Sequence, residues 1–315
     1  MKSTKYFDLF LAGIVAFSAY QFHYVWLVWK GFADLERVAY ALEDRPFVYR
    51  LLVPSLARVL EKLTGIPAVP CMIFLVVLSS VGLFYSLLYL YTAFSAHREP
   101  AGMFAFVGCE LTFMWILIGV KVYDIATAMF FALALALLAR RKFNSYYVLF
   151  LIASLNRETT FLLTLFFSVY FFNRMPRRHY FFGLLYQGLA YTVVKITTMI
   201  LYRDVPGTVL SLNPVGVLRG YVDQPVWFAV LLFVFFCLFL VIAIWQWNAK
   251  PGFLRAAFIT LFPALLLLHI LMGYPYEIRV FAEVFPVLLM LCAWSIPALS
   301  YRSALQQPQA IEAGG

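Results

Sequence analysis

Residues 70–94 read PCMIFLVVLSSVGLFYSLLYLYTAF and contain no charged side chain over 25 consecutive positions. An apolar run longer than about 18 residues can cross the hydrocarbon core of a bilayer as a helix. The composition of the whole chain agrees with this run, since it is 64% hydrophobic and 12% charged, with a mean hydropathy of +0.87. A water-soluble protein of 315 residues could not expose so much apolar surface, so the sequence predicts a polytopic membrane protein.

Further apolar runs of spanning length predict crossings at 7–29, 103–120, 122–139, 180–202, 226–247, 256–273 and 280–299. The stretch 144–173 is interrupted by Asn156, Arg157 and Glu158, which favours either two tilted crossings or a re-entrant pair. Counting two crossings there, we expect an all-α transmembrane bundle of about ten membrane-crossing segments. The bundle would form a single domain over residues 1–302, and residues 303–315 would form a disordered cytoplasmic tail.

If the chain passes through these crossings in order, the connections fall alternately on the two sides of the membrane. Basic residues are unevenly divided between the two sides. One set has few acids and contains Lys2, Lys5, Arg98, Arg140, Arg141, Lys142, Arg174, Arg177, Arg178, Lys250, Arg255 and Arg302. The positive-inside rule assigns this set, and with it both termini, to the cytoplasmic side of a bacterial inner (plasma) membrane. The net charge of +9 is then explained by this bias and by anionic lipids, and nucleic acid is not an expected partner.

The opposite connections mix acids with arginines, which indicates a shared polar pocket on the outer face. Their acids are Asp34, Glu36, Glu43, Asp44, Glu61, Asp124, Glu158, Asp204, Asp223 and Glu277. Uncompensated charge at membrane depth costs a few kcal/mol, so such groups are expected to be paired or functional. The alternative interpretation is purely structural, with ion pairs that hold helices together.

The first outer connection is the longest and the richest in polar groups. Its segment 46–63 predicts an amphipathic interfacial helix with Val48, Leu52, Leu56, Val59 and Leu63 on one face, and Pro54 argues for a kink or a start near Val53. The preceding Arg45-Pro46-Phe47-Val48-Tyr49-Arg50 sequence places two arginines beside aromatic residues, a pattern suited to binding a phosphate. The same arginines could instead anchor the chain at lipid headgroups.

Three other outer segments carry candidate site residues. They are Lys121-Val122-Tyr123-Asp124, Asn156-Arg157-Glu158-Thr159, and Tyr276-Glu277-Ile278-Arg279, which is followed by Glu283. Deeper in the predicted membrane, we expect Glu110 and Lys195 to neutralise each other. Protease, hydrolase and nucleotide-binding signatures are absent, and the four cysteines and four histidines have no ligand spacing. The sequence therefore indicates no cofactor and no metal site, and a requirement for a divalent metal stays open.

These features together resemble the GT-C superfamily of polytopic membrane glycosyltransferases. The likeness consists of an apolar first span, a long acidic outer loop with an interfacial helix, and the Arg-Pro-Phe-Val-Tyr-Arg, Tyr-Asp, Asn-Arg-Glu-Thr and Glu-Ile-Arg segments. The same short segments are similar to those of many uncharacterised bacterial inner-membrane proteins. The resemblance implies transfer of a sugar from a polyprenyl-phosphate-linked donor, with a first-loop carboxylate as catalytic base.

Carried over to this chain, the resemblance implies that the base is one of Asp34, Glu36, Glu43 and Asp44. The expected catalytic residues are Asp34, Glu36 and Asp44, and Asp34 is favoured because it follows the first span most closely. The residues expected to bind the donor phosphate or sugar are Arg45, Tyr49, Arg50, Lys121, Asp124, Arg157, Glu158, Glu277 and Arg279. The lipid bilayer and the lipid-linked sugar are the expected partners. Two alternatives stay open, namely a secondary transporter, and a polysaccharide polymerase or non-catalytic component of a glycan export system.

Overall fold

A computed structural model describes residues 2–30, 32–95, 99–116, 121–207, 226–272 and 277–295. Within these ranges the chain is helical almost throughout and forms no strand, which confirms the predicted all-α class. The twelve α-helices of the described residues are α1 Lys2–Lys30, α2 Phe32–Ala39, α3 Leu52–Thr64, α4 Ala68–Phe94, α5 Glu99–Ile116, α6 Asp124–Ala139, α7 Phe143–Asn156, α8 Phe161–Phe171, α9 Arg177–Leu201, α10 Val226–Ile244, α11 Gly252–Met272 and α12 Phe285–Ala293. Short 3₁₀ helices occupy Phe47–Tyr49, Glu158–Thr160, Trp247–Ala249 and Glu277–Glu283.

Three helices are long and apolar enough to cross a membrane, namely Ala68–Phe94, Arg177–Leu201 and Gly252–Leu271. Shorter apolar helices cover Pro100–Met114, Asp124–Ala139 and Glu158–Phe171. The described helices are thus compatible with a membrane protein. The count of ten crossings stays a prediction, and the tail at 303–315 lies outside the described residues.

Helix α6 lies at the centre of the bundle. Apart from Asp124 and Thr127 in its first turn, its sequence, DIATAMFFALALALLA, is apolar on every face, and such a helix has to be surrounded by protein or lipid. All of its residues are buried except Met129, Leu133 and Ala139. It packs most extensively against α4, where Gly82 faces the Met129 side chain, and its alanines allow close approach of neighbouring helices.

The predicted interfacial helix is shorter than expected. The segment begins with the 3₁₀ turn Phe47–Tyr49, and α3 starts only at Leu52, so that Pro54 falls in its first turn, where proline is tolerated. The buried residues of α3 are Val53, Pro54 and Ala57, and the helix packs on α4. The predicted apolar face at Leu56, Val59 and Leu63 is exposed, as expected for a helix that turns an apolar side toward lipid.

The helices alternate in direction, so the bundle has two chemically different ends. The basic end is defined by Arg140, Arg141, Lys142, Arg174, Arg177 and Lys250, which lie in the connections α6–α7, α8–α9 and α10–α11 or at the start of α9. The charged end is defined by Glu43, Arg50, Lys121, Asp124, Arg157, Glu158, Lys195, Arg279 and Glu283, at the other ends of those helices and in the segments beside them.

Cations at the basic end bind helix C-termini. Lys250 Nζ donates hydrogen bonds to the carbonyls of Ile242, Ala243 and Leu291 at 3.1, 2.6 and 2.6 Å, where α10 and α12 end. Arg140 donates to the Tyr89 carbonyl at 3.2 Å near the end of α4. The last carbonyls of a helix have no partner within the helix and carry partial negative charge, so these cations stabilise the fold.

Candidate functional site

The deepest part of the charged end is built around Asp124, the first residue of α6. Its carboxylate is fully buried and accepts hydrogen bonds from Arg157 Nη1 at 3.1 Å and Arg279 Nη1 at 3.0 Å. The backbone N–H of Lys121 donates to the same carboxylate at 3.0 Å. Both arginine side chains are only 4% exposed, so the three groups form an ion-pair triad that is almost removed from solvent.

Glu283 extends this triad from the last 3₁₀ helix. Its Oε1 lies 3.1 Å from Arg157 Nε and also accepts a hydrogen bond from the Thr159 hydroxyl. The other carboxylate oxygen, Oε2, is buried and has no hydrogen-bond partner among the described residues. Arg157 thus binds two carboxylates from two different elements, and it connects the end of α7 to both α6 and the last 3₁₀ helix.

A second layer, nearer the surface, is centred on Arg50. Its Nε lies 3.3 Å from Glu158 Oε2, its Nη1 donates to the Tyr123 hydroxyl, and its guanidinium lies 4.5 Å from the centroid of the Tyr123 ring. Burial alone would lower the pKa of Arg50, but Tyr123 and Glu158 raise it, and the resulting pKa is above the ordinary value. Glu158 also lies 3.5 Å from Lys195 Nζ of α9, so one carboxylate is shared by two cations.

Arg50 also lines a small cleft at the surface of the charged end. Glu43, Phe47, Arg58 and Tyr123 line the same cleft. Glu43 pairs with Lys121 Nζ at 2.8 Å, and its side chain is 14% exposed. The cleft is therefore lined by one carboxylate, two guanidinium groups and two aromatic rings.

Backbone contacts hold the first connection over this site. The Leu51 N–H donates to the Leu155 carbonyl at the end of α7, and the Arg45 N–H donates to the Pro206 carbonyl after α9, both at 2.9 Å. Gly207 has φ of +106°, and a Cβ at that position would overlap the Arg45 backbone. Glycine is therefore the residue that permits this close approach.

The structure brings most of the predicted binding residues into one region. Those at the charged end are Arg45, Tyr49, Arg50, Lys121, Asp124, Arg157, Glu158 and Arg279. Tyr49 is buried with its ring centroid 5.9 Å from Lys195 Nζ, and Arg45 is half-buried. The side chain of Glu277 lies outside the described residues.

Two of the three predicted catalytic carboxylates lie outside the buried ion pairs of the charged end. Glu36 and Asp44 have exposed side chains, and the side chain of Asp34 in α2 lies outside the described residues. Their catalytic role stays a prediction. The acid of the first connection that the structure places in the cleft is Glu43.

Two further members of the charged end, Lys195 and Glu283, were not selected as site residues from the sequence. The expected Glu110–Lys195 pair is wrong, because Lys195 pairs with Glu158 from the adjacent 3₁₀ helix. The sequence could have indicated this pair, because Lys195 precedes the end of α9 by six residues and α9 ends on the side where Glu158 was predicted to lie. Glu283 was named with the Arg279 segment in the sequence, but its pairing with Arg157 was not predicted.

Neither a metal site nor a related protein indicates the function. Within the described ranges, no three His, Cys, Asp or Glu side chains are grouped so that they could hold a metal ion. No family model, curated protein or solved structure matches the chain. The fold and site define an all-helical protein, compatible with a membrane, that carries a buried ion-pair network beneath a surface cleft.

Proposed function

We propose that this protein is a membrane glycosyltransferase that moves a sugar from a polyprenyl-phosphate-linked donor to an acceptor on the outer face of a bacterial inner membrane. The observation that supports this best is the juxtaposition of Glu43 with Arg50 and Arg58 in one cleft. A base for the acceptor and cations for the donor phosphate are the two functions that such a transfer requires.

Helix lengths support a location of the network inside the membrane thickness. Helices α6, α7 and α8 contain 16, 14 and 11 residues, and at 1.5 Å per residue they are roughly 24, 21 and 17 Å long. A hydrocarbon core is about 30 Å thick. If their basic ends lie at the cytoplasmic headgroups, their other ends stop below the outer surface, where polar groups must face protein or a water-filled recess. Such a recess suits a substrate anchored in lipid.

The chemistry assigns one role to each side of the cleft. Glu43 would accept the proton of an acceptor hydroxyl as its oxygen bonds to the anomeric carbon, and the bond from that carbon to the phosphate oxygen would break. The leaving group is the polyprenyl phosphate, whose negative charge Arg50 and Arg58 would stabilise. Lys121, at 2.8 Å, would hold the Glu43 carboxylate in position.

The geometry gives less support to a secondary transporter. A carrier with alternating access places its polar residues around the membrane midplane. The lysine that could have contributed to such a site, Lys195, joins the same network as Arg50 through Glu158. The ion pairs between acids and cations of this network therefore gather at one end of the bundle.

The test is the glycan and lipid-linked sugar profile of a deletion strain, measured by mass spectrometry and compared with strains complemented by variants. Glu43→Gln should reproduce the deletion profile while the protein is present in the membrane at normal amount. Asp204→Asn is the matched control, because Asp204 is 90% exposed and pairs only with exposed Arg203 among the described contacts. A glycan lost on deletion but restored fully by Glu43→Gln would refute the catalytic role and favour a non-catalytic component of glycan export.

A further inference from the structure

The charged end also reaches the surface at a second opening, defined by Glu158 and Lys195, whose side chains are 28% and 16% exposed. Neither residue is among those that line the cleft with Glu43. The Glu158–Lys195 pair therefore reaches the surface at a different place, between the Glu158–Thr160 turn and α9.

The cations of the buried network differ in how fully acids compensate them among the described contacts. Asp124 and Glu283 compensate the two deep arginines at 3.0–3.1 Å. Arg50 and Lys195 share Glu158 at the longer distances of 3.3 and 3.5 Å. The less fully compensated cations consequently lie at the second opening.

The surface around this opening is apolar. Helix α9 exposes Leu189, Val193, Ile196 and Ile200 on either side of Lys195 in sequence, as expected of a helix whose outer face contacts lipid. Lys195 precedes the end of α9 by six residues, or about 9 Å. Its Nζ lies 5.9 and 5.8 Å from the ring centroids of Tyr49 and Tyr191. A cation that shares its carboxylate with a second cation, beside an apolar surface, favours an anion that is itself carried by a lipid.

We infer that Lys195 and Arg50 bind a phosphate group carried by a membrane lipid at this second opening. The phosphate would compensate these two cations more fully, and Glu158 would keep Arg50 as its partner if Lys195 turned toward the ligand. The inference deepens the proposed function, because a polyprenyl-phosphate donor is one such lipid. Arg50 also lines the Glu43 cleft, so the same guanidinium would bind the donor phosphate in both proposals, with Lys195 as a further cation.

Binding can be measured without any transfer reaction. The full chain in phosphatidylcholine nanodiscs is titrated with a polyprenyl phosphate, and the dephosphorylated polyprenol serves as the uncharged control. We expect the phosphate to bind at least tenfold more tightly than the alcohol, and Lys195→Met to abolish that preference while Lys195→Arg keeps it. Lys62→Met is the matched control, since Lys62 is an exposed lysine of α3 at the same end of the bundle.

Competition with phosphatidylglycerol identifies the source of the phosphate. If it displaces the probe equally well, the site exists and is occupied by ordinary anionic phospholipid; if it does not, the site selects the polyprenyl lipid. Equal binding of phosphate and alcohol, or a preference unchanged in Lys195→Met, would overturn the inference and leave Lys195 as a lysine that only reaches toward the headgroups. Should Lys195→Met fail to fold, a photoreactive polyprenyl phosphate on the unmodified chain must label residues 45–50 or 191–203, and labelling elsewhere would overturn it equally.

The outcomes for the two proposals are distinguishable. Phosphate binding that depends on Lys195, without any change of glycans in the deletion strain, would support the lipid site and refute the glycosyltransferase. Transfer that depends on Glu43 but not on Lys195 would support the glycosyltransferase and refute the lipid site.

Discussion

Asp124 and Arg279 lie 155 positions apart in the chain, yet their side chains form a buried hydrogen-bonded ion pair at 3.0 Å. Arg157 completes the triad from a third element at 3.1 Å. Because each group comes from a different part of the bundle, the triad fixes the start of α6, the end of α7 and the last 3₁₀ helix relative to one another. It lies directly below the layer that contains Arg50, so it supports the cleft without lining it.

Replacing Asp124 by Asn should strongly destabilise the protein. The change leaves Arg157 and Arg279 buried without their common carboxylate, and removal of one partner from a buried ion pair costs about 3–5 kcal/mol. Thermal unfolding of the protein in detergent measures the effect. Asp204→Asn, in an exposed pair, should change stability by less than about 0.5 kcal/mol. Equal stability of the two variants would show that the triad does not hold the helices together.

Tyr123→Phe should leave the Arg50 side chain less firmly held in place without unfolding the bundle. The Tyr123 hydroxyl accepts a hydrogen bond from Arg50, and its loss leaves one guanidinium N–H without this partner, at a cost of about 1–3 kcal/mol. The phenylalanine ring keeps the cation–π contact. We expect reduced glycan formation in the complementation assay at nearly unchanged protein level. Tyr85→Phe is the control, because Tyr85 is an exposed residue of α4; an equal effect of both changes would contradict the role of the hydroxyl.

Gly207→Ala should release the first connection from α9. The Arg45 backbone leaves no room for a Cβ, and the φ of +106° is unfavourable for any other residue. Faster hydrogen exchange at residues 45–51 than in the unmodified protein would report the release. Gly188→Ala within α9 is the control, because nothing lies within 4 Å of its Cβ position and alanine favours helix. Unchanged exchange in Gly207→Ala would mean that the Arg45–Gly207 contact does not hold the connection in place.

Much of the architecture could be predicted from the sequence because helix formation and charge placement are encoded locally. Long apolar runs predict helices, and the alternation of basic and mixed connections predicts which helix ends lie together. The helix start near Val53 that Pro54 indicated agrees with the start of α3 at Leu52, whereas the 3₁₀ turn at Phe47–Tyr49 before it was not predicted. Backbone bonds to Leu155 and Pro206, which are distant in sequence, hold this segment.

Individual partners in the network could not be predicted in the same way. Asp124, Arg157 and Arg279 were grouped by side of the membrane, but no local pattern states that one carboxylate accepts from both arginines. Lys195 illustrates the error most clearly. Its depth is compatible with several acids, and the choice of Glu158 over Glu110 depends on α9 packing beside α7 and α8.

Lys250→Met should destabilise the basic end while sparing the cleft. The ammonium group donates to three carbonyls that close α10 and α12 and to the Ser295 hydroxyl at 2.8 Å, and the methionine can donate to none of them. Each unsatisfied buried acceptor costs about 1–3 kcal/mol, although some of these carbonyls would recruit water. We expect a lower unfolding temperature but unchanged binding of the polyprenyl phosphate probe in the folded fraction, whereas Lys62→Met should leave both unchanged. Loss of probe binding in folded Lys250→Met protein would show that the two ends of the bundle are coupled, because no direct contact joins Lys250 to the described residues of the charged end.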